Sequence, residues 1–370
     1  AMLLGTLTAS IGGGRAGAVG LSAGAILAIL AERVDVGKQS TGIVAVVSDD
    51  DASRQFTYGR PDTSDNRPLD GSTVFEIGSI TKVLTALLLA DMVEHGEVAF
   101  VDPVAKYLPD SVRVPEFHGK AITLIDLASY TSGLPRMPDN IISKDPLNPF
   151  ADYTTEQLYS FLSSCVLKFE PGTHIEYSNV AFALLGVAIA ACAGKSYEQL
   201  LIERICEPLG LHDTRISLTP SMSSRIAQGH DPNLERRPLW DLGALAAAGA
   251  VRSTANDLTV FLEACLGRRR TSLGSALGKL LEVRKPYDEH GLAVGLGWFI
   301  SSGYGDQIVW KDGGSGGFAA YVGFSPAGRR GSIVLSNAAN WHYLDDIGMH
   351  LIDPDFPLLN LIDPDFPLLK

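Results

Sequence analysis

Residues 75–96 read FEIGSITKVLTALLLADMVEHG. Ile80, Val83, Leu84, Leu87, Leu88 and Met92 recur at steps of three and four, and Gly96 stands where a left-handed helix cap falls. The spacing predicts a buried helix of about four turns. Gly78, Ser79 and Lys82 open it. A hydroxyl and an amine three positions apart lie on one helix face, one above the other, within hydrogen-bonding reach. A serine is a weak nucleophile until a base takes its proton, and an amine that is desolvated and close to other cations holds its own proton less tightly. Lys82 could therefore serve Ser79 as a base. The unpaired N–H groups of the first helical turn add partial positive charge beside Ser79, where an oxyanion would form. An ordinary serine cap followed by a solvated lysine fits the same short pattern, so the decision between the two rests on the remaining chain.

The chain has 370 residues, 46% hydrophobic and 19% charged, a composition of globular proteins that at this length divide into about two domains. A net charge of −12 and a pI near 5.1 argue against nucleic acid or an anionic membrane as partner. Arg268, Arg269 and Arg270 make one short basic run, read as a solvated loop. The four cysteines are scattered without a C-x-x-C pair; Cys165, Cys192 and Cys265 fall in apolar, helix-like surroundings and read as buried free thiols. The eight histidines lack metal-ligand spacing. No apolar run reaches the length of a membrane span. Residues 16–30, AGAVGLSAGAILAIL, follow Arg15 as a signal-peptide core would, but their glycines and the continuation AERVDVGK favour a packing helix. Compartment and oligomeric state stay unassigned.

After that helix, residues 41–47 (TGIVAVV) read as a strand, Asp49, Asp50 and Asp51 as a turn, and residues 54–59 (RQFTYG) as the hairpin partner. From 97 to about 240 the pattern is helical, with helices expected at 124–130, 155–162, 179–193 and 197–205 between Pro- and Gly-marked turns. Strands return at 308–311, 318–324 and 332–335, followed by a closing helix at 341–352. The reading is an α/β (α+β) fold in which an antiparallel sheet of about five strands is flanked by helices, the first and last on one face and the central helix on the other. Residues 1–96 with 246–352 form one discontinuous domain, 97–245 a helical insertion, and 353–370 an extended tail. That tail contains a repeat, LIDPDFPLLN at 351–360 and LIDPDFPLLK at 361–370, read as a local duplication whose prolines exclude helix.

Two more patches bear on Ser79. Tyr177 and Asn179 follow the Pro171-Gly172 turn and precede an apolar helix, at an element boundary where functional groups are often presented. A tyrosine can act as a base when nearby cations depress its pKa. Lys311, Asp312, Gly313 and Gly314 lie in VWKDGGSGGF, where glycines allow a strand edge to approach a ligand with its N–H groups exposed.

S-x-x-K opening a core helix, then Y-x-N, then Lys-x-Gly before a glycine-rich strand entry resembles the serine β-lactamases and penicillin-binding proteins. The likeness is to the class C β-lactamase branch, with the D-alanyl-D-alanine carboxypeptidases and family VIII carboxylesterases. It runs from about residue 42 to 352 and includes LASYTSGLP (127–135), GAVRSTANDL (249–258) and GLGW (295–298). The resemblance implies a β-lactamase/transpeptidase-like fold and a covalent acyl-enzyme on Ser79, with neither metal nor organic cofactor. Lys82 would share its proton, Tyr177 would be the main base, Asn179 would hold the amide or ester side of the substrate, and Lys311 would supply positive charge. The oxyanion hole would be the N–H groups of Ser79 and Gly314, with Asp312 and Gly313 beside the substrate. The substrate would be a small molecule: a β-lactam, an ester or a D-amino-acid peptide. A penicillin-binding sensor with little turnover, or a scaffold with relic motifs, would carry the same serine and lysine.

One residue departs from the family pattern. Where the family has Lys-Thr-Gly, this chain has Lys311-Asp312-Gly313, and an ionised aspartate repels a carboxylate and donates no hydrogen bond. The expectation is weaker β-lactam turnover than that of a dedicated resistance enzyme, with neutral esters or amides at least as good.

Overall fold

A computed structural model describes residues 20–49, 52–282, 284–287, 291–301 and 306–358. The helices that matter for the site are α1 (Ala23–Ala31), α2 (Thr81–Glu94), α3 (Asn179–Ala193), α4 (Ala255–Cys265) and α5 (His342–Ile352). The stretch at 75–96 folds as its spacing predicts, with two refinements. Ser79 lies in a 3-10 turn, Gly78–Ile80, that leads into α2, and Lys82 occupies the first turn of the α-helix itself. Twelve of the fourteen residues of α2 are buried, so it is packed from all sides rather than along one stripe. Gly96 takes the left-handed conformation expected of it, with φ of +70°.

The strands of the main sheet are β1 (Gly42–Ser48), β2 (Ser53–Gly59), β3 (Lys285–Pro286), β4 (Ala293–Val294), β5 (Phe299–Ser301), β6 (Ile308–Gly314), β7 (Ala319–Ser325) and β8 (Arg330–Ser336). They lie in the order β2-β1-β8-β7-β6-β5-β4-β3, each antiparallel to its neighbours. The sheet therefore has eight strands rather than about five. The three additional strands hold two or three residues each, too few for the alternation by which strands are read. They extend the edge beside β6, where Val309 pairs with Ile300 of β5.

All seven residues of β1 and of β7 are buried, which requires cover on both faces of the sheet. Two consecutive residues of β8 show where that cover comes from: a methyl group on Gly331 would touch Leu262 of α4, whereas Ser332 donates its hydroxyl to Gly348 O of α5 at 2.7 Å. Opposite faces of a strand thus meet α4 and α5. This corrects the expectation that the central helix covers one face. That position belongs to α4, while α2, enclosed by other helices, reaches the sheet through its leading turn. On the α5 face, Arg33 and Asp346 form a buried ion pair at 2.5 Å that ties the segment after α1 to the last helix.

Between 97 and 245 short helices alternate with long stretches of turn and loop, so the segment is less helical than expected, and one two-residue ladder joins Gly229–His230 to Arg236–Arg237. The helix expected at 197–205 divides into Tyr197–Leu201 and a π-turn, Ile202–Cys206. At the end of the chain, Leu351 and Ile352 still belong to α5, Pro354 stops the helix, and Phe356 turns back to be buried. The first copy of the repeat is therefore not extended over these residues. Its second copy, residues 1–19, and Asp50 and Asp51 lie outside the described residues. The four cysteines are free, but the buried one is Cys206; Cys192 is exposed on the solvent side of the end of α3, and Cys165 and Cys265 are half-buried.

The sheet meets the α2 turn through glycine. A methyl group on Gly313 would lie 2.0 Å from Ile77 O and 2.8 Å from Ser79 N, and one on Gly78 would lie 2.3 Å from Gly314 N. Gly78 also has φ of +49°, which a side chain would strain. Gly313→Ala should lower unfolding free energy by about 1–3 kcal/mol, because the opposing atoms are backbone and cannot rotate away. The urea midpoint measures it, and an unchanged midpoint would contradict so close an approach.

Candidate active site

Ser79 is fixed from both sides of its turn. Residues Val74–Glu76 pair with Arg252–Thr254, and Ile77 N donates to Val251 O at 3.1 Å. Behind it, Lys82 has no exposed surface and donates from Nζ to Ser79 Oγ at 2.9 Å, Asn179 Oδ1 at 2.7 Å and Ala248 O at 2.6 Å. The three acceptors match the three protons of an ammonium. Burial nevertheless pushes the pKa of Lys82 down to about 8; Lys311 acts in the same direction and Tyr177 against it.

Tyr177 and Asn179 are placed by the cap of α3. Ser178 accepts from Ala181 N at 3.0 Å while its hydroxyl donates to Pro135 O at 2.7 Å, and Asn179 N donates to Arg136 O at 2.9 Å. The segment ahead of α3 is thereby strapped to the loop at 135–136. The Tyr177 hydroxyl lies 2.7 Å from Ser79 Oγ. Its ring stacks on Tyr130 at 5.2 Å between centroids, and Tyr130 in turn stacks on Phe299 at 5.6 Å. Tyr130 carries a positive φ of 60° and donates to Gly297 O at 2.9 Å, so two of the sequence landmarks brace one ring. Asn179 Nδ2 faces Met137 Sδ at 3.1 Å, a weak acceptor that a substrate carbonyl could replace.

Lys311 is buried on β6, with Nζ 5.1 Å from the Tyr177 ring centroid, comparable to the 4.9 Å of Lys82. Burial alone would raise the Tyr177 phenol, but the charges of Lys311 and Lys82 outweigh it and hold the phenol below its ordinary range. Lys311 also donates to Asp312 Oδ1 at 2.7 Å. Burial opposes both charges, but each stabilises the other, so the Asp312 carboxyl is held down and the Lys311 ammonium up.

The order of the β6–β7 turn aims one more donor at the site. Ser315 N donates to Phe318 O at 3.0 Å, and in an antiparallel ladder the next pair, Gly314 with Ala319, points its N–H and C=O groups outward. Gly314 N–H is thus directed away from β7, toward the Ser79 turn. Gly313 does not line the cavity; it permits the backbone contact behind it.

These groups surround a cavity of about 400 Å³ into which Ser79, Tyr177, Asn179, Asp312 and Gly314 open. Its rim is aromatic, from Phe150, Trp240, Tyr287 and Trp341, none of which stands out in the sequence. Arg136 also opens into it and follows directly on the LASYTSGLP landmark. Its Cζ lies 4.9 Å from the Tyr177 ring centroid. Among the described residues no three His, Cys, Asp or Glu side chains converge in a metal-binding cluster, and no single helix is long and apolar enough to cross a membrane.

A family model described as Beta-lactamase matches residues 28–351. The D-alanyl-D-alanine-carboxypeptidase/endopeptidase AmpH of Escherichia coli strain K12 is 32% identical over 320 residues, covering 82% of this chain and 81% of that protein. A beta-lactamase of the same strain is 28% identical over 317 residues, covering 76% and 80%. Among solved structures, a beta-lactamase/D-alanine carboxypeptidase from Yersinia pestis complexed with citrate superposes with a TM-score of 0.73 at 28% identity, covering 85% of this chain and 92% of that one.

The electrostatics can be read directly. A spectrophotometric titration should show one tyrosine ionising below the range of ordinary phenols, and Tyr177→Phe should remove that signal. Lys311→Met should move it to higher pH, since a phenolate is harder to form when a neighbouring cation is removed. A wild-type titration confined to the ordinary range, near pH 10, would contradict this arrangement.

Proposed function

The chain belongs to the beta-lactamase family and is a serine hydrolase of that type, and on that premise we propose that it works through a covalent acyl-enzyme on Ser79. The observation that supports this most directly is the convergence of Lys82 Nζ and Tyr177 OH on one oxygen, at 2.9 and 2.7 Å, where that oxygen faces an open cavity.

In this reading the Tyr177 phenolate, held by Lys82 and Lys311, accepts the proton of Ser79 as Oγ attacks the substrate carbonyl. The N–H groups of Ser79 and Gly314 receive the oxyanion. Tyr177 then gives its proton to the leaving group, which departs as the carbonyl re-forms; in the second half it takes a proton from the water that attacks the acyl-enzyme and returns it to Ser79 Oγ as that ester bond breaks. Asn179 Nδ2 leaves Met137 Sδ and donates to the carbonyl of the acyl side chain. Lys82 remains bonded to Ser79 and Asn179 throughout, so its main task is to fix both and to hold negative charge on Tyr177.

Asp312 sets the substrate preference. About a third of its side chain is exposed, so a leaving group carrying a carboxylate meets an anion that also occupies Lys311. Neutral esters and amides escape that repulsion, whereas release of a terminal D-alanine, the carboxypeptidase reaction named for AmpH, does not, because the departing D-alanine carries the carboxylate.

Hydrolysis of nitrocefin, a p-nitrophenyl ester and a D-alanyl-D-alanine peptide should each fall at least about a thousandfold in Ser79→Ala. The ester should match or exceed nitrocefin in wild-type kcat/KM. Full activity in Ser79→Ala would remove the nucleophile, and a stable penicillin adduct without turnover of any substrate would indicate a sensor instead. Asp312→Thr should raise nitrocefin kcat/KM about tenfold, the scale of one charge-assisted hydrogen bond, and change the neutral ester less. Equal changes for both substrates would overturn the role given to Asp312.

A further inference from the structure

Arg136 is the cation in the cavity that the proposed reaction does not use. It is exposed, opens into the same space as Ser79 and Asn179, and among the described residues its guanidinium forms no hydrogen bond or ion pair. Arginines packed into the protein are paired, Arg204 with Asp91 and Glu97, Arg225 with Asp213 and Arg252 with Glu76. The exposed Arg113, Arg269 and Arg270 are, like Arg136, unpaired among the described residues, and what sets Arg136 apart is that it opens into the cavity. Within the site the Arg136 guanidinium lies over the face of the Tyr177 ring. Its backbone, by contrast, is fixed, because Arg136 O accepts from Asn179 N and the neighbouring Pro135 O accepts from the Ser178 hydroxyl. The result is a positioned cation with its donors open to the cavity.

The opposing charge in the cavity is Asp312, carried by β6 and already bonded to Lys311. The two walls therefore differ in sign. Asn179, which in the proposed reaction holds the acyl part of the substrate, is tied to the Arg136 loop, and Asp312 stands where a leaving-group carboxylate would arrive. We infer that Arg136 is a specificity-determining residue that receives a negatively charged group, a carboxylate above all, on the acyl side of the substrate. The preferred substrate is an ester or amide whose acyl part is anionic and whose leaving group is neutral where it passes Asp312. A guanidinium meets a carboxylate through two parallel N–H donors, and closure of the cavity by the substrate strengthens that pair. This inference rests on the serine-hydrolase reading of the site.

The test compares p-nitrophenyl hemiadipate with p-nitrophenyl hexanoate, which share leaving group and chain length and differ in a terminal carboxylate. Wild type should prefer the hemiester in kcat/KM. In Arg136→Gln the ratio of the two rates should fall about tenfold, Arg136→Lys should recover part of it, and Arg136→Glu should lower it further. Raising the salt concentration should weaken the wild-type preference. Were Arg136 only a support for the Tyr177 ring, both esters would slow together and the ratio would stay constant. A constant ratio, with hydrolysis still abolished in Ser79→Ala, would overturn the inference and leave the nucleophile intact. Hydrolysis that survives in Ser79→Ala would instead undo the reading on which it rests.

Discussion

Lys82 is an amine with no exposed surface in a helix twelve of whose fourteen residues are buried. Withdrawing a charge of that kind from water is costly unless every proton finds an acceptor. The acceptors here come from three distant places: the turn before its own helix, the cap of α3, and the carbonyl of Ala248. Each must be held to within a hydrogen bond's tolerance. The glycine contact between β6 and the Ser79 turn, the Ser178 strap, and the packing of 246–249 against α2 and α3 all serve that condition. What looks like an ordinary core is thus organised around one buried polar centre.

The electrostatics follow from the same enclosure. In a space largely removed from water, two ammonium groups near 5 Å from one phenol ring suffice to outweigh the burial that would keep it protonated. Lys311 is kept charged by Asp312, and Asp312 in turn gives one wall of the cavity a negative sign. Arg136 gives the other side its positive sign. A chain with net charge −12 therefore carries a locally polarised site whose signs are set by a few groups rather than by the overall field.

Much of this was legible in the sequence because it depends on local patterns. The 3.6-residue spacing located α2, the Pro171-Gly172 turn and the apolar run located α3 at residues 179–193, and the motif order singled out Ser79, Lys82, Tyr177, Asn179 and Lys311, which the fold does bring together. The remainder depends on long-range packing. Strands of two residues, such as Ala293–Val294, have no period to read. The burial of α2 on every side erased the amphipathic stripe that would have told which layer it meets, and so α4 was missed as the cover of the sheet. Cys192 lies in an apolar run yet faces solvent, because the last turn of a helix can project beyond the layer it packs against. Arg136 and the aromatic rim come from loops, where residue type carries little information until the walls are assembled. Gly313 read as a ligand contact, whereas its missing side chain serves the backbone of Ile77 and Ser79.

The measurement that addresses the central claim most directly is peptide mapping by mass spectrometry of the wild-type protein, quenched in acid during turnover of a p-nitrophenyl ester or a penicillin. The account predicts an adduct of the substrate's acyl mass on the peptide that contains Ser79, disappearing as substrate is exhausted. An acyl group carried on any other residue would contradict it, because Lys82 and Tyr177 would then be converging on an oxygen that takes no part in the chemistry.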